Sequence, residues 1–456
     1  MSNYKIILLY IVICGLSLTG CDKYLNVAPK GVTLLTTVSN YDQWLNNANL
    51  ANGLGAPTGI FDYLTDNMDL PPISNPPAQQ VELIYTWQPQ FSVDLTAAPV
   101  FWGAHYANIN AFNTVVLGVD QATGGTTDQI KSLKAEALLG RALEYFYLVN
   151  EYGYQYDSAT AATDLAVPFV TSNDVSQTVP PRATIQTVYD QIISDINAAI
   201  PNLPQDNSKN RFRGSVAAGY SVLARIYFYA RDYADALKNA QLALQNTTAS
   251  MLDLNGTLPT KALMSIQQDV IYGRQVLGDI TVALPFMRSF ANNDLRVKHF
   301  YYSSDNYTYT VRGATLFLPA YITPGLQYVN TGTSVQEMKL IVAECAARRN
   351  DLSTALQQLD GVRKYRFAQA SYQPYQSTNS DSVLQQVLLE RNHELPFSGL
   401  RWFDMRRLDK ENRMDTVYRY DARGNIVATL PPHGDRYTLQ IPVQELKFNP
   451  SMPQNK

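Results

Sequence analysis

Glu390 and Glu394 stand one helical turn apart in Glu390-Arg391-Asn392-His393-Glu394. Two carboxyls in one motif invite comparison with a glycosidase, which uses one as acid and the other as base or nucleophile. The spacing argues against that chemistry. Catalytic carboxyls face each other across a substrate, whereas an i,i+4 pair lies side by side on one helix face. Arg391 is within the motif, and Arg401, Asp404 and Arg407 follow at i,i+3 intervals. The six charges Glu390, Arg391, Glu394, Arg401, Asp404 and Arg407 are therefore expected to form a structural ion-paired network that locks the last two helices together.

Other catalytic constellations fail on the same inspection. The four His (His105, His299, His393, His433) show no i,i+4 pairing, there is no Cys cluster, and no Asp-x-Asp-x-Asn-Gly calcium loop occurs. No metal site is thus read from the sequence. Phosphate loops, the dinucleotide fingerprint and the Gly-x-Ser-x-Gly elbow are also missing, so no cofactor and no catalytic residue is assigned. With 36 Lys and Arg against 39 Asp and Glu, the formal charge is −3 and gives no large field for nucleic acid.

The chemistry left is that of a ligand surface. The 456-residue chain carries 30 Tyr against 16 Phe and 4 Trp, a balance that favours rings with one wet edge. A polar ligand with one apolar face and a rim of hydrogen-bonding groups needs aromatic platforms beside Asp, Asn, Gln or Arg. Two loops have that composition. One holds Asp66, Asn67, Tyr85, Trp87, Gln88 and Gln90; the other holds Tyr301, Tyr302, Asn306, Tyr307, Tyr309 and Arg312. The expected ligand contacts are Asp66, Asn67, Trp87, Gln88, Tyr302, Tyr307, Tyr309 and Arg312, with Trp87 foremost. Any single aromatic of such a loop can instead pack the loop onto its scaffold. The cluster Tyr145, Tyr147, Tyr152, Tyr154 and Tyr156 begins on a helix, and its first two rings are assigned to core.

These loops hang from a helical scaffold. Phe101 to Val119 and Ser132 to Glu151 each carry an apolar stripe at helical spacing. Tyr220, Leu223, Ala224 and Tyr227 run into Arg231-Asp232-Tyr233 and then Ala236, Ala240 and Ala243, a spacing that resembles a tetratricopeptide repeat. Ala343, Ala346, Ala355, Leu359 and Val362, around Asn350-Asp351, repeat it less perfectly. Thr184 to Ile200, closed by Pro201, adds another helix, and Asp381 to Glu394 with Gly399 to Leu408 forms a last pair. The fold class is all-α: a superhelix of tetratricopeptide-like helical pairs, with long irregular loops at 52–99, 153–181 and 271–330 carrying the ligand site. Strand signals are weak and confined to loop ends.

The first twenty residues read as an address. Lys5 supplies a positive start and Ile6 to Leu18 an apolar run of 13 residues, too short for a membrane span. Leu18-Thr19-Gly20-Cys21 looks like a bacterial lipobox, in which cleavage before Cys21 leaves a thiol for lipid attachment. Acyl chains add about 0.8 kcal/mol per buried CH₂, enough for two or more to hold a protein on a membrane. Of the three cysteines, Cys14 departs with the signal, Cys21 is acylated and Cys345 is left unpaired.

Several of these segments together resemble the SusD/RagB family of Bacteroidetes: Ala135-Glu136-Ala137-Leu138-Leu139-Gly140-Arg141-Ala142 with Tyr152-Gly153; Glu390 to Leu395; Gly399 to Arg407; and the ending Ile441-Pro442, Glu445, Asn449-Pro450, Gln454-Asn455. Tyr24-Leu25 and Pro29 after the lipobox fit the same pattern, while Pro396 and Ser398 depart from it. The resemblance implies a signal peptide at 1–20 and one domain at 21–456, with family segments at about 21–250 and about 260–456. It also implies a lipid-anchored protein of the outer-membrane surface that binds oligosaccharide or polysaccharide and hands it to a SusC-like TonB-dependent transporter, without cleaving it. Peptide in place of glycan, as in the RagB branch, and a ligand-poor lid on the transporter are the alternatives.

Overall fold

The computed structural model of the protein describes residues 35–56, 59–70, 73–259, 263–278, 280–302, 315–317, 328–421 and 423–455. Helices dominate. In chain order they are α1 (Val38–Leu45), α2 (Gln80–Tyr85), α3 (Trp102–Gly118), α4 (Thr127–Tyr152), α5 (Ile185–Ala199), α6 (Val216–Tyr229), α7 (Tyr233–Asn246), α8 (Leu284–Arg288), α9 (Leu295–Phe300), α10 (Val335–Arg348), α11 (Leu352–Arg363), α12 (Ser380–Glu394), α13 (Leu400–Asp409) and α14 (Val443–Phe448). The expected helices all form, and several begin at a side-chain cap. α4 begins five residues ahead of Ser132, because Thr126 and Gln129 close a capping box on its first turn. Thr184 caps α5 and Ser215 caps α6.

Neighbouring helices pack in succession: α3 on α4, α4 on α5, α6 on α7, α7 on α10, and α10 on both α11 and α12. The pairs α6/α7 and α10/α11 share one turn design. Arg231 and Asn350 take left-handed backbone (φ 62° and 65°), and the next residue, Asp232 or Asp351, caps the second helix. Between α3 and α4 the approach is so close that a Cβ on Gly140 would fall 2.3 Å from the Phe112 ring. Ala135, Ala137, Ala142, Ala217, Ala218, Ala224, Ala236, Ala240 and Ala243 are buried at the contacts of this array.

Buried ion pairs join several of the helices. Arg141 on α4 binds Asp195 on α5 at 2.7 Å, and Arg225 on α6 binds Glu337 on α10 at 2.6 Å. Arg391 on α12 and Arg407 on α13 share Asp404, and Arg407 continues to Glu344 on α10. His105 on α3 lies between Glu144 (2.7 Å) and Glu151 (3.2 Å) of α4. Burial works against charging this imidazole, but the two carboxylates prevail and raise its pKa to about 10, so it is an imidazolium at neutral pH.

The network expected around Glu390 forms with different partners. Both Glu390 and Glu394 pair with Arg296 of α9, and they are joined by Arg363 and Arg366 respectively. Arg391, Asp404 and Arg407 make the separate cluster just described. Arg401 belongs to neither, since it leaves α13 for Asp66.

The strands are short. They are β1 (Leu165–Pro168), β2 (Arg182–Thr184), β3 (Val270–Tyr272), β4 (Gln275–Leu277), β5 (Ile280–Val282), β6 (Tyr301–Tyr302), β7 (Thr315–Phe317), β8 (Tyr328–Asn330), β9 (Thr333–Ser334), β10 (Val417–Tyr420) and β11 (Ile426–Leu430). The described pairings are antiparallel: β1 with β2, β3 with β9, β4 with β8, β7 between β5 and β6, and β10 with β11. At the chain end, Asn455 donates to the carbonyls of Tyr152 and Leu439 and accepts from Arg182, so the C-terminus is tied to the end of α4. Among the described residues no helix is long and apolar enough to cross a membrane.

Candidate ligand-binding cleft

β10 and β11 form a hairpin whose turn is built by Asp421. Its carboxylate accepts from the backbone N–H of Arg423 (2.8 Å) and Asn425 (2.9 Å), and Gly424 supplies the left-handed position (φ 86°). Strand alternation then sends Tyr418 and Tyr420 to one face and Arg419 to the other. The two tyrosines are 45% and 36% exposed, with ring centroids 6.4 Å apart and planes 38° from parallel.

Arg419 points inward and is 1% exposed. It donates to the carbonyls of Tyr85 (2.9 Å), Tyr63 (3.0 Å) and Thr65 (2.8 Å), and its guanidinium lies 4.0 Å from the Tyr85 ring centroid and 4.2 Å from that of Trp87. One side chain thus fixes the 63–87 loop beneath the hairpin by charge-assisted bonds and ring stacking.

Between hairpin, loop and the 283–288 segment opens a cleft of about 720 Å³. Its polar wall is Asp66 with Arg401, which meet through two parallel bonds (2.8 and 2.5 Å). Burial tends to raise the Asp66 pKa, yet Arg401 and then Arg419 hold it below the usual carboxylate value. Asp69 accepts from the Tyr85 hydroxyl at 2.9 Å. Burial, opposed by Arg419 and reinforced by Asp69, pushes that phenol up to about 12. Arg288, Arg413 and Asp415 complete the charged lining. Such a site can stack a flat apolar face on Tyr418 and Tyr420 and hydrogen-bond a polar rim, and it holds Asp66 ionised, unfit to donate a proton.

The expected contact residues are distributed unevenly around this cleft. Asp66 lines it. Asn67 is buried and exchanges amide hydrogen bonds with Asn392 of α12 (2.8 and 3.3 Å). Trp87, the foremost expectation, is corrected by its burial: it is 4% exposed, its indole N–H donates to the Leu64 carbonyl at 2.9 Å, and Arg419 covers its ring. It offers no ring face to a sugar. Gln88 is half-buried and donates to Thr86. Tyr302 has a described backbone in β6, paired with Leu316. Tyr307, Tyr309 and Arg312 lie outside the described residues, as does Cys21. Tyr145 and Tyr147 are wholly buried, as expected of core rings.

Tyr418 and Tyr420 were not among the expected contacts. The signal was present in Val417-Tyr418-Arg419-Tyr420 before Asp421-Ala422-Arg423-Gly424-Asn425, an alternating strand followed by an Asp/Gly/Asn turn.

The comparisons with known proteins agree on a family. A family model described as starch-binding associating with outer membrane matches residues 56–228, and one described as the SusD family matches residues 336–456. The chain belongs to the SusD family. A SusD-like protein of Bacteroides ovatus is 28% identical over 233 residues, which span 48% of this chain and 38% of that relative's length. Among solved structures, a SusD superfamily protein from Bacteroides thetaiotaomicron superposes with TM-score 0.75 at 18% identity, covering 92% of this chain and all of the other. Surface glycan-binding protein A from Bacteroides uniformis does so with TM-score 0.68 at 17% identity, covering 92% of this chain and 99% of its own. At these identities the structural likeness is one of fold. The SusD-family cleft here is framed by parts of both matched segments, Asp66 in one and Arg401 with Tyr418 and Tyr420 in the other.

Proposed function

We propose that this SusD-family protein binds oligosaccharide or polysaccharide in the 720 Å³ cleft and passes it to a SusC-like TonB-dependent transporter of the outer membrane, where a lipid on Cys21 holds it. The observation that carries the binding step is the pair of exposed rings, Tyr418 and Tyr420, lining one cleft together with the Asp66–Arg401 pair. Their C–H contacts would take the apolar faces of successive sugar units, and the ion pair would read hydroxyls. The family description as starch-binding, and a fold neighbour named as a surface glycan-binding protein, support the same ligand class. The reading is one of binding without cleavage, in keeping with a fold neighbour named as a binding protein, and Asp66, held ionised by Arg401, does not supply the protonated carboxyl that glycoside hydrolysis needs.

The test is affinity electrophoresis and calorimetry on a panel of polysaccharides and peptides. Tyr418→Ala and Tyr420→Ala should each weaken sugar binding by about tenfold, the scale of one lost stacking contact of about 1 kcal/mol or a little more. Their thermal unfolding should match that of the parent, since both side chains are already exposed. Undiminished sugar affinity in both variants would remove the cleft from the proposal. Binding of peptides and of no sugar would replace the ligand class.

A further inference from the structure

We infer that the cleft selects anionic carbohydrate, with Arg288 as the residue that reads the negative group; this rests on the cleft being the glycan site. Its lining contains four arginines against three aspartates, in a chain whose formal charge is −3. Two of the four are already committed. Arg401 is bound to Asp66, and Arg419 is buried in backbone carbonyls. Arg413 has, among the described residues, a 3.4 Å contact with Glu411 as its ion pair. Arg288, at the end of α8, is exposed and makes no hydrogen bond or ion pair among the described residues. It lines the same cleft as the Tyr418–Tyr420 pair, with its donors unpartnered among the described residues. A planar guanidinium with free donors suits a carboxylate or a sulfate ester, which it can grip through two parallel bonds.

A second cleft of similar size gives the internal contrast. It encloses about 790 Å³ beside Trp102, Tyr106 and Phe169, with Asp174 and Glu445 in its lining and no Lys or Arg. Two sites of like volume and aromatic content thus differ in charge, and only the first has a cation to offer an acidic sugar.

The experiment compares the mature protein's affinity for a uronic-acid oligosaccharide and for the same oligosaccharide with its carboxyls reduced to alcohols. A sulfated glycan and its desulfated form make a second pair, and poly-glutamate a control. The expected result is a preference of about tenfold for one or both anionic forms, lost in Arg288→Gln and restored only in part in Arg288→Lys, which returns the charge without the two parallel donors. A carboxylate preference without a sulfate preference, or the reverse, supports the inference and identifies the group. Equal affinity within both pairs overturns it, as does a preference that survives Arg288→Gln or binding of poly-glutamate as tight as that of the acidic sugars. The failure of the underlying reading looks different: no glycan of either form binds, or Tyr418→Ala and Tyr420→Ala leave binding untouched.

Discussion

Asp62 is a side chain whose ionisation is at odds with its surroundings. It is wholly buried, one oxygen accepts from the Gly399 N–H at 3.1 Å, and the other has no partner among the described residues. Burial raises its pKa to about 8, only partly offset by that hydrogen bond. The folded protein therefore keeps a proton at neutral pH that the unfolded chain has released. Between about pH 4 and 8 the native state binds more protons, so this group's contribution falls as pH rises, by up to about 1.4 kcal/mol per unit, and levels off above 8. Asp62→Asn keeps an acceptor for Gly399 and abolishes the titration. Urea unfolding at several pH values should show the variant gaining on the parent from pH 5 to 8, and a pH-independent difference would refute the assignment. Trp87 teaches a related lesson at the same scale: a ring inside an Asn- and Gln-rich loop reads as a sugar platform until the guanidinium that covers it, from Arg419 more than 300 residues away, is in view.

Helices are the elements on which sequence pattern and structure agree, because each is set by local terms. The apolar stripe at 3.6-residue spacing, Thr126, Thr184 and Ser215 as caps, and Pro201 after α5 all act within a few positions. Partner choice among charges is not local. The motif at 390–394 displayed its acids and one base, but Arg296, Arg363 and Arg366 reach it from α9 and the α11 region, and nothing in the motif names them. The β10/β11 hairpin was hidden for another reason. Four alternating residues are too few to stand out in a helical chain, although the Asp421 turn marks their end. The buried pairs between helices carry a prediction of their own. Arg225 donates to Glu337 twice and to the carbonyls of Thr331 and Gly332, with no exposure on either charged side chain. Arg225→Met strands the Glu337 carboxylate between α6 and α10 and should cost about 3–5 kcal/mol, whereas Arg225→Met with Glu337→Met should recover much of that. Chemical denaturation of the two single variants and the double variant measures the coupling, and additive losses would show that the pair does not bolt the helices.

At the scale of the whole molecule, the cleft and the proposed anchor have to work together on one surface. Arg419 and Arg401 tie the 63–87 loop of the first matched segment to the last quarter of the chain, so the ligand wall is a seam between distant parts of the sequence. Asn455 closes a second seam by joining the chain end to α4. No described helix of this body is long and apolar enough to cross a membrane. The lipobox at Leu18 to Cys21 supplies the link to the membrane in the proposal. The variant Cys21→Ala would remove the only thiol at the cleavage point and with it the acyl chains, each worth about 0.8 kcal/mol per buried CH₂. Fractionation of cells expressing it should move the protein from the outer membrane to the soluble fraction. The purified variant should still bind sugar with parental affinity, because Cys21 is not among the residues that line the cleft. Retention of Cys21→Ala in the outer membrane would assign the attachment to the protein surface and not to the lipid.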